Sequence, residues 1–93
     1  TNTFSANYNK LQKFGLNGQI RDINISAVKI ARQAAKENVL VGGTIGPLGL
    51  RIEPYGPTSF DEAKAMFKEQ AEALLEGGID LFVLETFSDL SEI

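Results

Sequence analysis

Residues 77–86 read Gly77-Gly78-Ile79-Asp80-Leu81-Phe82-Val83-Leu84-Glu85-Thr86. The two glycines stop whatever helix precedes them, and an apolar run follows that ends on a carboxylate. The run is short, rich in residues that suit a pleated surface and without alternation, which predicts a strand covered on both faces, as in a parallel sheet. Upstream, Ser59-Phe60-Asp61-Glu62 has the spacing of a capping box: the Ser59 hydroxyl accepts from the Glu62 amide while Glu62 reaches back to Ser59. Asp61 and Glu62 also suit the positive end of a helix dipole. Ala63, Met66, Phe67, Gln70, Ala71 and Leu74 then share one face, so a helix runs from this cap to the glycine pair.

The same order occurs once more before it. Ile20, Ile23, Ala27, Ile30/Ala31 and Ala34 recur at helical spacing and predict a helix from about Arg21 to Lys36 with a buried stripe, stopped near Asn38. Val39-Leu40-Val41 leads into Gly42-Gly43-Thr44-Ile45-Gly46-Pro47, a second buried strand that Gly46-Pro47-Leu48-Gly49 breaks. Pro54-Tyr55-Gly56-Pro57 marks a further turn, and Thr1-Asn2-Thr3-Phe4 reads as the end of an earlier strand. Thr3 to Thr44 is 41 positions, and Thr44 to Glu85 is 41 again. The expected fold class is therefore α/β, a βαβαβ run with a parallel sheet and right-handed crossovers. At this period both a (β/α)₈ barrel and an open doubly wound sheet are compatible.

A barrel of that kind needs about 250 residues, and this chain has 93. It has no initiator Met, begins inside a β-like tetrapeptide and stops at Leu90-Ser91-Glu92-Ile93, which reads as the opening of a helix. Both ends are expected to cut through secondary structure, which makes residues 1–93 an internal segment of a larger enzyme. There is no cysteine and no histidine, so a disulfide, a thiolate, a Cys/His metal site, a Ser–His–Asp triad and a histidine general base are excluded from these residues alone. The net charge is −3 with scattered basic residues, which argues against nucleic acid or an anionic membrane as partner. No apolar run approaches the roughly 20 residues of a membrane span, and the expected location is the cytoplasm.

In parallel α/β folds the active site gathers at the C-terminal ends of the strands. That rule selects Thr1, Asn2 and Thr3 on the first strand, Thr44 and Gly46 on the second, and Glu85 and Thr86 on the third. Glu85 ends a run of four apolar residues, Leu81-Phe82-Val83-Leu84. A carboxylate so placed is partly desolvated and needs a cation or hydrogen-bond donors. A substrate ammonium would serve, and so would a structural ion pair or a helix N-terminus. Thr3 and Thr44 offer hydroxyls or backbone amides to a ligand carboxylate, or else ordinary strand-end bonds. The glycine-rich stretch 42–49 lacks the spacing of a phosphate loop, and Pro47 removes an amide that a phosphate cradle would use. Asp80 reads as a cap or turn residue on the opposite face. Ser88 or Asp89 caps the next helix, and Lys29, Arg32, Lys64, Lys68 and Glu69 form a solvated face. The sequon Asn24-Ile25-Ser26 lies within a helix and is discounted.

Taken together, Thr1-Asn2-Thr3-Phe4-Ser5-Ala6-Asn7, Gly42 to Gly49, Glu69-Gln70-Ala71 and Gly77 to Leu81 running into Glu85-Thr86-Phe87-Ser88-Asp89-Leu90 resemble, in order and spacing, the homocysteine S-methyltransferase family. The likeness covers essentially the whole chain, and Ser5 departs from the glycine more usual there. The resemblance implies a (β/α)₈ TIM barrel, of which residues 1–93 span roughly the end of strand 2 to the start of helix 4. It implies transfer of a methyl group to homocysteine to give methionine, with a zinc ion held by three cysteines outside this chain activating the thiol. Cobalamin and methyltetrahydrofolate on other domains are among the implied cofactors. Glu85 would contact the substrate's amino group, and Asn2, Thr3 and Thr44 would line the same mouth, with no catalytic residue and no metal ligand among residues 1–93. The isolated chain is expected to be inactive, and to fold poorly or to associate with copies of itself. Two competing readings are a lyase- or aldolase-type barrel with Glu85 as general base, and a small non-enzymatic α/β module.

Overall fold

Half of the expected capping box forms, the Glu62 carboxylate taking the Ser59 hydroxyl and not the Ser59 amide. In a computed structural model describing residues 1–93, the Ser59 hydroxyl accepts from the Glu62 amide at 3.1 Å and donates to Glu62 Oε1 at 3.1 Å. It opens helix α3, Phe60–Gly77. Gly78 closes the helix in the left-handed conformation (φ 99°), its amide reaching the Leu74 and Leu75 carbonyls. Before it lie α1, Tyr8–Gln12, capped by Asn7, then a 3₁₀ turn at Asn17–Gln19 and α2, Ile20–Ala34. Strands β1, Gly42–Ile45, and β2, Leu81–Leu84, pair in parallel, with Gly42 opposite Leu81 and Ile45 opposite Leu84. The order β1–α3–β2 is one complete crossover unit.

The expected βαβαβ run is shortened by one strand. Thr1–Phe4 forms no ladder with β1 but runs beside it in the same direction. The Thr1 amino group donates to the Gly42 carbonyl (2.7 Å), the Thr44 amide to Thr1 Oγ (3.1 Å) and Thr3 Oγ to the Thr44 carbonyl (2.7 Å). Thr1 Oγ thus stands where a ladder carbonyl would be, and Thr3 Oγ where a ladder amide would be. Val39 and Leu40 also lie outside β1 and are exposed. Asn38 takes a positive φ of 68°, and the Val39 amide turns back to the Lys36 carbonyl, so the chain joins the sheet only at Val41. No helix opens at the C-terminal end. Asp89 instead accepts from the Ser91 amide in a local turn.

The core sits under β1, where Val28 of α2, Ile45 and Leu74 of α3 meet, flanked by Phe67, Ala71, Ile79 and Phe87. A second cluster, Leu48, Ile52 and Ala63, packs below the loop after β1. β2 was expected to be covered on both faces, yet its four residues are 39–49% exposed, because its only sheet neighbour is β1. Helix α2 differs as well. Its buried row is Ile20, Asn24 and Val28, while Ile30, on the expected stripe, is 66% exposed. The remainder of that stripe lines an open groove of about 660 Å³ together with Asn2 and Gln19.

Asp80 and Arg32 hold the lower edge of the sheet, a role beyond the turn residue and solvated cation expected of them. Asp80 Oδ2 accepts from the Val41 amide at 2.7 Å and from Arg32 at 2.9 Å, and the Asp80 amide donates to the Val41 carbonyl at 2.8 Å. Arg32 also reaches the Gly78 carbonyl at 2.6 Å. These contacts tie the ends of α2 and α3 to the starts of both strands. The Val41 amide and, after it, Arg32 hold the Asp80 carboxyl below its ordinary value. A carboxyl whose pKa is depressed by folding contributes stability above its unfolded value, near pH 3.9, that disappears as the pH falls through the folded value. Urea midpoints followed from pH 6 downward should therefore fall below pH 4 for the wild type. Asp80→Asn should start lower at pH 6 and lose less over the same interval.

Candidate functional site

The C-terminal ends of β1 and β2 bring three of the four expected site positions to one edge. Thr44 is the third residue of β1, Thr3 lies beside it on one flank, and Glu85 follows β2 on the other, its amide donating to the Ile45 carbonyl at 3.1 Å. Thr3 and Glu85 therefore flank the end of β1 on opposite sides. Asn2 is the exception: it faces the groove over α2 and is not part of this edge.

The four side chains differ in what they have left to offer. Thr3 is buried, and its hydroxyl is shared between Thr1 Oγ (2.6 Å) and the Thr44 carbonyl. It secures the segment and has little capacity for a ligand. Thr44 is half-buried; its amide is taken by Thr1, and its hydroxyl makes no bond within the chain. Glu85 is exposed, with no ion pair and no side-chain hydrogen bond, so the desolvation expected of it is not supplied by residues 1–93. An unpaired carboxylate at a strand end is available to a ligand cation.

The next residue carries strain. Thr86 has φ 64°, a conformation that costs a β-branched residue on the order of 1–2 kcal/mol. It turns the chain directly after Glu85 and so fixes where that carboxylate leaves the sheet. The opposite wall of the edge is Phe4 against Gly46, where a Cβ at Gly46 would lie 2.5 Å from the Phe4 ring and 2.8 Å from its carbonyl oxygen. That glycine is required by space. Below the wall, Asn9 Nδ2 donates to the Leu48 carbonyl (2.8 Å), and the Leu48 amide donates to Glu92 (2.7 Å).

Sequence reasoning named Gln70 and Asn24, on the face of one helix and in a discounted sequon, but gave neither a role in this region. Gln70 of α3 donates to the Thr3 carbonyl at 2.8 Å, and Asn24 of α2 donates to the Ala6 carbonyl at 2.9 Å. The available signal was an amide falling on each helix's buried row, at positions where packing alone favours an apolar side chain. The chain has no ligand set for zinc, having neither cysteine nor histidine and no convergent group of three acidic residues. No helix is long and apolar enough to cross a membrane.

Comparison with known proteins identifies the family. The methionine synthases of Mycobacterium tuberculosis (strain ATCC 25618 / H37Rv) and Mycobacterium leprae (strain TN) are each 31% identical to the chain over 99 aligned positions, covering all of it. The chain spans 8% of the length of these curated relatives. The sequence profile described as homocysteine S-methyltransferase matches residues 1–93. The chain belongs to the homocysteine S-methyltransferase family.

Proposed function

We propose that the protein carrying this chain transfers a methyl group to the sulfur of homocysteine, giving methionine. Its frame is a (β/α)₈ barrel in which residues 1–93 run from the end of strand 2 to the start of helix 4. The family match over the whole chain carries the reading, and the strand-end edge of Thr44 and Glu85 supports it. In the reaction the thiol proton leaves, the sulfur attacks the methyl carbon, and the new S–C bond forms as the bond to the donor breaks. Residues 1–93 contribute binding rather than bond-making. Glu85 pairs with the substrate ammonium, and the uncommitted Thr44 hydroxyl donates to its carboxylate. Zinc does not fit the residues present here, so its ligands are assigned to other parts of the protein. Methyltetrahydrofolate, by way of cobalamin, is the proposed donor, likewise bound by other domains. The 93-residue chain by itself is inactive in this reading and, with β2 uncovered, prone to self-association.

The test is Glu85→Gln in the full-length protein, assayed for homocysteine-dependent methionine formation. Losing one charge-assisted bond costs about 1.5–3 kcal/mol, a rise of roughly 10- to 100-fold in KM for homocysteine, with kcat changed far less. A collapse of kcat at unchanged KM would instead favour the general-base role of a lyase or aldolase. An unchanged KM and kcat would remove Glu85 from the site.

A further inference from the structure

Helices α2 and α3 meet through two amides where apolar contact would serve stability better. Gln70 and Asn24 are both 0% exposed. Gln70 Nε2 donates to the Thr3 carbonyl (2.8 Å) and to Asn24 Oδ1 (3.3 Å). Asn24 Nδ2 donates to the Ala6 carbonyl (2.9 Å) and to the Ile20 carbonyl of its own helix (2.7 Å). The pair therefore grips both ends of the turn in which the Ala6 amide returns to the Thr3 carbonyl at 3.0 Å. Gln70 Oε1 is buried without a partner, a cost that an apolar residue would not incur. Directional bonds of this kind specify one position, whereas apolar packing tolerates sliding.

What they position lies one bond away. Thr3, held by its carbonyl from below, donates its hydroxyl to the Thr44 carbonyl, and Phe4, the next residue, rests on Gly46. We propose that Gln70 and Asn24 are positioning residues for substrate binding, a buried amide pair that sets the 1–7 segment against β1 and so shapes the wall facing Glu85. This inference rests on the homocysteine reading above. It assigns the two residues no contact with substrate; they act through Thr3.

Two variants of the full-length protein test it. Gln70→Met keeps the length and removes the donors. It should raise KM for homocysteine about tenfold, the equivalent of one lost hydrogen bond, with kcat at saturation within about twofold of wild type. Gln70→Glu retains a donor only while protonated, and burial raises the pKa of such a carboxyl. Its KM should therefore approach the wild-type value at low pH and climb away from it as the pH rises. A wild-type KM in Gln70→Met with only a lower unfolding midpoint would overturn the positioning role. Should that variant not fold, a pH-independent KM ratio in Gln70→Glu would overturn it equally. A wild-type protein that forms no methionine from homocysteine overturns both readings, and this control tells the two failures apart.

Discussion

Leu74→Ala should cost the protein about 3 kcal/mol or more of unfolding free energy, within the 2.7–5 kcal/mol span of buried leucine truncations. Leu74 is fully buried at the point where α2, α3 and β1 meet, against Val28 and Ile45, with Phe67, Ala71, Ile79 and Phe87 around them. The cost lies at the upper end when the walls cannot close on the space left behind, and here several are fixed. A Cβ on Gly43 would stand 3.2 Å from Leu74 Cδ1, so the strand is already at the leucine, with no side chain of its own to swing in. Near the end of α3, a Cβ on Gly77 would lie 2.9 Å from Val28 Cβ, so α2 and α3 cannot approach further. Chemical denaturation of the full-length protein measures the effect. Leu75→Ala, at a position 57% exposed on the same helix, should lie within about 0.5 kcal/mol of wild type. Equal effects for the two would place the core elsewhere.

The contrast between these neighbours shows how far the chain can be read without coordinates. Helix α3 was legible at both ends, because the Ser59 hydroxyl satisfies the orphan Glu62 amide and Gly78 adopts φ 99°, and such terminal signals depend on local chemistry alone. The strand pair was legible from the apolar run that becomes β2 and from the glycine-rich stretch 42–46 that forms and ends β1, although Val39 and Leu40 stay outside the sheet. Burial was less so, since it depends on what lies alongside. The apolar character of Leu81–Leu84 predicts cover on both faces, yet residues 1–93 supply a neighbour on one side only. On α2 the apolar stripe and the buried row are offset: Asn24 is buried because Gln70 and Ala6 satisfy it, while Ile30 is exposed. Hydrophobic periodicity finds the apolar face and has no means of finding an amide that a distant carbonyl satisfies. Asp80 escaped for the same reason, its partners Val41 and Arg32 being 39 and 48 residues away. At the strand ends, the rule selected Thr3, Thr44 and Glu85, which lie along one edge of the sheet. It gave no warning that Thr3 Oγ is already committed to the Thr44 carbonyl, or that Asn2, one residue along, faces the α2 groove.

Gly46→Val should disable substrate binding and lower stability together, and by more than the loss of any single polar contact at the edge. Gly46 is buried, and its φ is one that any residue adopts, so the requirement is for space alone. A Cβ there would meet Phe4 Cδ2 and Cε2 at 2.5 Å and the Phe4 carbonyl oxygen at 2.8 Å. A ring alone could rotate aside; a backbone oxygen moves only with its chain. The 1–7 segment must then lift from β1, taking Thr3 from both the Thr44 carbonyl and Gln70. Overpacking of this kind costs about 1–3 kcal/mol, and the released hydrogen bonds add about 1 kcal/mol each. The expected result is a fall of roughly 3 kcal/mol in unfolding free energy, with KM for homocysteine raised on the order of 100-fold or more. Gly18→Val is the matched control, since nothing lies within 4 Å of a Cβ at that exposed position. Gly46→Ala should fall between the two, because its single methyl already meets the carbonyl but adds no branch. Wild-type KM in a folded Gly46→Val protein would detach the 1–7 segment from the substrate mouth, leaving Thr44 and Glu85 to form it by themselves.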